Sequence, residues 1–317
     1  MADDSSSDLI LVANAPASRR MPATTAARLG NIRPNPAPER VAQWMQRLER
    51  ARTPLPALEA YSGDTWTHVR AAFEASRAVG GELWVASPGV GLVRGDQPMP
   101  NYIASFDTEH PDRCGDDGIA NELWWEALAQ WNATRGLPGG LAGLVRRNRA
   151  ATYLFALGAD ALAALHADLW EAREAAFDPD RILVISAGAS GSLGLGESLL
   201  RVESWKDHGL GGARHTLNAR LMRHLVETFP PSDLRASVIQ KWLRRMESLP
   251  KPPPRAKPAP ARPMGSIELE SYLRESLAVQ PNLKPATLLR RLREAGRAPD
   301  AVAFQRLYQS LSLPLLA

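Results

Sequence analysis

Three short runs of unbroken apolar residues punctuate a chain that elsewhere spaces its apolar positions three and four apart. Leu9 to Ala13 (LILVA), Glu82 to Ala86 (ELWVA after its leading acid) and Arg181 to Ser186 (RILVIS) are each bounded by turn formers. A continuous apolar run of that length between such signals predicts a strand buried on both faces. Between the first two runs, Val41 to Arg52 sets Val41, Trp44, Met45 and Leu48 on one side of a helix and Arg47, Glu49 and Arg50 on the other. After Pro54 and Pro56, Tyr61-Ser62-Gly63 precedes a second helix. Asp64 or Thr65 caps it, Trp66, Val69, Phe73 and Ala78 ride on it, and Gly80-Gly81 ends it. Strand, helices, strand in this order predict a βαβ crossover and a parallel pair.

Further along, Asn121 to Arg135 spaces Leu123, Trp124, Leu128 and Trp131 as one face of a helix, and tryptophans so placed read first as core. Leu141 to Arg149 ends in a basic cluster, ahead of an apolar segment from Tyr153 to Trp170. Helices are predicted from Thr216 to Thr228 and from Ser232 to Ser248. Residues 1–249 therefore read as an α/β domain, a mixed or mostly parallel sheet flanked by helices. Residues 250–265 are a different material: PKPPPRAKPAPARP carries Lys251, Arg255, Lys257 and Arg262 without an acid, and such a proline-rich stretch is an extended, semi-rigid linker. Residues 266–317 then predict three short helices, with Ser266 and Asp300 as caps, Pro285 in a first turn and Gly296 as a stop. Leu269, Leu273, Leu277, Leu288, Leu289, Leu292, Phe304, Leu307 and Tyr308 would fill a helix-turn-helix-like bundle. Such bundles bind DNA or dock proteins; Arg290, Arg291, Arg293 and Arg297 tilt the reading to DNA.

The candidate chemistry collects where the apolar runs stop. In open α/β sheets ligands bind beyond the carboxyl ends of strands. Asn14-Ala15-Pro16 would form one crevice edge. Ser87, Gly89, Gly91, Asp96, Asn101, Tyr102 and Ser105 would form another, unless they are an ordinary surface loop. Ser186 and Gly188 open a glycine-rich ending of the kind that can cradle a phosphate or carboxylate. The spacing of Gly191, Gly194 and Gly196 reverses that of a dinucleotide fingerprint, and neither a P-loop nor a nucleophile elbow is present, so no cofactor is expected. Glu203 to His215 concentrates Lys206, Asp207, His208, Arg214 and His215 before a helix, a flank that suits an anion or simply a solvated turn. Arg146, Arg147 and Arg149 form the best basic cluster of the main domain. Residues 17–38, with Arg19, Arg20, Arg28 and Arg33, are either a phosphate-touching loop or a solvated connection. His110 and Cys114 could be a base and nucleophile, but residue type alone supplies no geometry.

Composition narrows these options. Hydrophobic residues make up 44% and charged residues 23% of 317, enough apolar material for a core and more than one domain. The net charge of +4 and pI near 9.4 are compatible with an anionic partner without requiring one. A lone cysteine, Cys114, excludes an internal disulfide framework and a zinc site built on cysteine pairs, and no metal is expected. Asp3 and Asp4 stand where a secretion signal carries positive charge, and no stretch approaches the roughly 18 apolar residues of a membrane span. A cytoplasmic protein with no membrane partner is the expectation.

The segment ELWVASPGVGLVRGDQPMPNYIASF resembles the strand-then-loop signature of the YaaA-like superfamily, which includes DpdC-type proteins. In that signature a hydrophobic strand leads into Ser-x-x-x-Gly-Leu and then Asp-x-x-x-Pro-Tyr. Here these positions are Ser87, Gly91, Leu92, Asp96, Pro100 and Tyr102, with Asn101 inserted before the tyrosine. The early LILVA run and Tyr61-Ser62-Gly63 also fit, so the likeness extends over the chain up to residue 110. It implies an association with nucleic acid, in systems that place 7-deazaguanine bases in DNA and convert the nitrile of such a base to an amide. On that implication Asp96 would orient or deprotonate water, Tyr102 or Lys206 would donate a proton, and His208 could do either. Ser87 to Gly89 and Ser186 to Gly188 would hold the base edge, and Arg146, Arg147 and Arg214 would bind flanking phosphates. DNA, and other proteins of a modification or defence cluster, are the implied partners; a non-catalytic DNA-binding or docking component is the alternative.

Overall fold

The computed structural model describes residues 7–21, 23, 25–33, 36–50, 54–187, 194–202, 210–248, 262–280 and 283–312. The chain divides into two compact units, Met1–Pro252 and Pro253–Ala317. In the first, the elements run β1 (Leu9–Asn14), α1 (Ala37–Glu49), β2 (Leu55–Pro56), α2 (Ala57–Ala60), α3 (Asp64–Ser76), β3 (Glu82–Ser87), β4 (Gly91–Arg94) and β5 (Pro98–Met99). Then follow α4 (Gly118–Ala133), α5 (Gly140–Arg147), β6 (Thr152–Ala156), α6 (Ala159–Ala164), α7 (His166–Ala175), β7 (Ile182–Ser186), β8 (Leu199–Arg201), α8 (Leu217–Thr228) and α9 (Ala236–Glu247).

The main sheet has the order β4-β3-β1-β6-β7-β8, with every neighbour pair parallel except β3 with β4. Counting the parallel strands in chain order, this is the 2-1-3-4-5 arrangement of a doubly wound sheet. Its topological switch point lies between β1 and β6, where ligands of such sheets bind. The apolar runs form these strands because both faces are covered. Leu9 to Ala13 are at most 3% exposed, and each large aliphatic side chain so buried contributes about 1.5–3 kcal/mol. α3 packs against α8 over one face, while α1 and α4 to α7 pack together over the other.

Two elements depart from the sequence reading. The central strand β6, TYLFA, lies inside the long apolar segment from Tyr153 to Trp170, where a strand passing directly into helices leaves no change of period to mark it. The Ser87-Pro88-Gly89 ending is the turn of a hairpin, since Ser87 pairs with Gly91 and β4 runs back along β3 to Arg94 opposite Trp84. Gly91 has φ +74°, a left-handed conformation that favours glycine.

The second unit contains β9 (Arg262–Pro263), α10 (Ser266–Val279), α11 (Pro285–Glu294), β10 (Arg297–Ala298) and α12 (Ala301–Ser312). Leu269, Leu273, Leu277, Leu288, Leu292 and Phe304 make its core, and β9 pairs in parallel with β10. The Asp300 carboxylate accepts from the Ala303 N–H at 2.8 Å and so caps α12.

Candidate functional site

At the switch point β1 ends in Asn14, whose Oδ1 accepts from the Gly158 N–H at 2.9 Å just beyond β6. On its other side the Ala15 N–H donates to the Ala86 carbonyl at 2.9 Å. Two hollows flank this stitch and share Asn14, Pro16, Ala17 and Gly158. The first, about 280 Å³, is bounded by the ends of β1 and β3, the 103–110 segment and the start of α6. Its polar lining includes Arg19, Ser105, Asp107, His110 and Asp160. The second, about 290 Å³, lies toward α3 and α8, with Asp64, Thr65, His215 and Asn218 in its wall.

The 101–114 segment is a built wall. Ile103 exchanges backbone bonds with Ala27 and Leu29, and Ser105 with Asp112 and Cys114. The Asp112 carboxylate, 2% exposed, accepts from the Arg28 guanidinium at 2.6 Å and from the Gly30 N–H at 3.0 Å. Burial pushes this carboxyl upward, but the Arg28 bond and the Gly30 N–H outweigh it and hold it below the usual carboxylate value. The Asp112 N–H donates to His110 Nδ1 at 3.0 Å, which in the neutral ring places the proton on Nε2. His110 is therefore a donor on the wall of the first hollow.

Beneath this wall is a closed hub. Tyr102 is fully buried, its hydroxyl bonded to Ser87 Oγ and 3.3 Å from the Tyr61 hydroxyl, and burial pushes its pKa well above the ordinary tyrosine value. Trp44 donates to the Gly89 carbonyl at 2.6 Å, Trp124 to the Pro88 carbonyl at 2.7 Å and Asn132 to the Val90 carbonyl at 3.0 Å. The Cys114 thiol also meets the Pro88 carbonyl, at 3.4 Å, and burial pushes its pKa up, which argues against the nucleophile reading. A Cβ on Gly89 would overlap the Tyr102 ring. Ser87, Gly89, Gly91 and Tyr102 are thus brought together, but as the packed support of the hairpin.

Compared with known proteins, the chain matches no family model, and no curated protein or solved structure is significantly similar to it.

Of the residues expected in the crevice, Ser105 lines the first hollow. Asn101, four residues earlier, is outside the lining of that hollow and donates to the Met21 carbonyl at 2.9 Å. Ser186 is buried at the end of β7, its Oγ without a hydrogen-bond partner among the described residues. Arg214 is exposed ahead of α8. Gly188, Lys206 and His208 lie outside the described residues.

The structure places two groups of expected site residues away from the hollows. Asp96 is at the amino edge of the sheet, because the hairpin carries the chain back past Trp84, and there it holds Arg94 at 2.7 and 2.8 Å. It does not meet Tyr102. Arg146, Arg147 and Arg149 also lie at the amino edge, just before β6. Arg146 pairs with Glu171 at 3.0 Å, Arg147 donates to the Gly136 carbonyl and Arg149 to the Ala175 carbonyl, both at 2.6 Å. A five-residue strand, about 17 Å long, separates them from the hollows.

What the sequence reading missed is Asp107, Asp160 and the place of Arg19. The Arg19 guanidinium lies 3.9 Å from the Tyr102 ring centre and 4.7 Å from that of Tyr61, and it lines the first hollow. No sequence motif marks it; only the pairing of the 18–20 segment with 60–62 brings it there. Among the described residues no group of three His, Cys, Asp or Glu side chains could hold a metal ion, and no helix is long and apolar enough to cross a membrane.

Proposed function

We propose that the α/β unit acts on a modified 7-deazaguanine base in DNA, hydrating its nitrile to the amide. The observation that carries this reading is the first switch-point hollow, where His110, Asp107 and Asp160 line a space of about 280 Å³. That volume lies just below the range of small-molecule sites, about 300–1,000 Å³, and suits one base rather than a dinucleotide. The resemblance of Glu82 to Phe106 to YaaA-like proteins supplies the choice of substrate. Hydration forms a bond from water oxygen to the nitrile carbon. In this scheme Asp107 takes the water proton while His110 Nε2–H donates a hydrogen bond to the nitrile nitrogen as negative charge builds there, and Asp107 then delivers that proton to the nitrogen, giving an imidic acid that tautomerises to the amide. Both side chains end in the protonation state in which they began. Both roles replace the pairing of Asp96 with Tyr102, which the hairpin separates. Incubating the full chain with DNA containing the cyano base, followed by nucleoside mass spectrometry, is expected to yield the amide nucleoside. An unchanged base under conditions that support binding contradicts the reading.

A second reading is favoured by the Pro253–Ala317 unit. Arg290, Arg291 and Arg293 are exposed on α11 of a unit with its own core, which suits a helix-turn-helix-like DNA reader in a non-catalytic docking component of a defence or stress system. It calls for strongly salt-dependent DNA binding that falls when residues 250–317 are removed. Affinity unchanged by that deletion opposes it.

A further inference from the structure

We propose that Arg19 anchors the ligand of the first switch-point hollow by donating to an acceptor on a small neutral ligand, whose neighbouring N–H donors are met by Asp160. This rests on the reading that the hollow is the ligand site, and it is independent of the reaction carried out there.

A guanidinium drawn away from water needs compensation. Arg19 receives part of it from the faces of Tyr61 and Tyr102, which are 2% and 0% exposed. Yet it has no carboxylate partner among the described residues, and its Nη1 is buried without a hydrogen-bond partner there. The two tyrosine hydroxyls interact with the guanidinium as well as with each other and Ser87, and this still leaves Nη1 without a partner among the described residues. An orphaned buried donor in a folded protein calls for a missing water, ion or ligand group. Arg19 lines the hollow, so its guanidinium is the cation a ligand there would meet.

The charges around the hollow decide the class of ligand. Among the described residues Arg19 is the one guanidinium of its lining, which also carries Asp107 and Asp160. Asp107 Oδ1 already accepts from the Glu109 N–H at 3.0 Å, whereas Asp160 has no partner among the described residues. A phosphate would meet one guanidinium and two carboxylates, an unfavourable balance. A neutral lactam or amide, with a carbonyl beside N–H groups, meets charges of both signs with matching bonds.

The test is calorimetric titration of the full chain with guanosine, with inosine, which lacks the exocyclic amine, and with inorganic phosphate. Guanosine is expected to bind about tenfold tighter than inosine, and phosphate is expected not to displace it. Asp160→Asn should remove the guanosine preference, and Arg19→Lys, which keeps the charge but loses the fork, should weaken both nucleosides about tenfold. Should Arg19→Lys fail to fold, Asp160→Asn, at an exposed position, carries the test alone. Phosphate binding that depends on Arg19, or a guanosine preference that survives Asp160→Asn, overturns the proposal. If the nitrile in DNA is not converted while these nucleoside results hold, the proposed reaction falls and the anchor stands. Conversion that proceeds equally in Asp160→Asn overturns the anchor and leaves the reaction.

Discussion

The two edges of the sheet use their charged side chains differently. At the amino edge the charges named above are committed. Asp96 holds Arg94, Arg146 holds Glu171, and Arg147 and Arg149 donate to the carbonyls of Gly136 and Ala175. Arg149 also lies over the Phe177 ring at 4.3 Å. At the carboxyl edge Arg19, His110 and Asp160 retain bonding capacity around a hollow. Spare capacity, more than charge density, marks the carboxyl edge as the candidate site. The cluster from Arg146 to Arg149 looks like a phosphate patch in the sequence, yet cations near helix ends also satisfy terminal carbonyls.

Substitutions can break or sharpen this contrast. The largest effect belongs to the hub under the carboxyl edge: Tyr102→Ala removes a fully buried ring and uncovers Arg19, and should cost about 3–5 kcal/mol in urea unfolding. Gly89→Ala forces a methyl into the same ring and should cost about 1–3 kcal/mol by the same measurement. Asp112→Asn should act through pH. The folded pKa of Asp112 lies below its unfolded value of about 3.9, so its contribution is fully present above that value and is lost as pH falls through the folded pKa. The stability gap between wild type and Asp112→Asn should therefore be widest near neutrality and close in acid, as read by unfolding at a series of pH values. Smallest is Arg146→Ala at the amino edge, where both partners are more than half exposed; it should change stability by less than about 1 kcal/mol and leave guanosine binding unchanged.

Much of the sheet was legible because strands covered on both faces must be apolar throughout, as β1, β3 and β7 are. β6 was not, since Thr152 to Ala156 runs into α6 and α7 without a polar break. The Ser87-Pro88-Gly89 residues are turn formers, but a turn does not announce which way the chain leaves it. Three residues, Pro88 to Val90, reverse the direction and send Asp96 to the far edge. The same ambiguity concealed Tyr102, whose aromatic ring suits an exposed loop tip or a core equally, and here it fills the core. Arg19 and Asp160 lie far apart in the chain and meet at one hollow through the crossover geometry, which no local pattern carries. The caps and stops of the second unit, Pro285, Gly296 and Asp300, were legible because they act within one turn of their own helix.

The most direct comparison of the two edges sets His110→Gln beside Asp96→Asn on DNA containing the cyano base, with the amide nucleoside counted by mass spectrometry. Loss of turnover by about a hundredfold or more in His110→Gln, with Asp96→Asn close to wild type, is the expected result. Turnover retained in His110→Gln and lost in Asp96→Asn would place the chemistry at the amino edge and contradict the site described above.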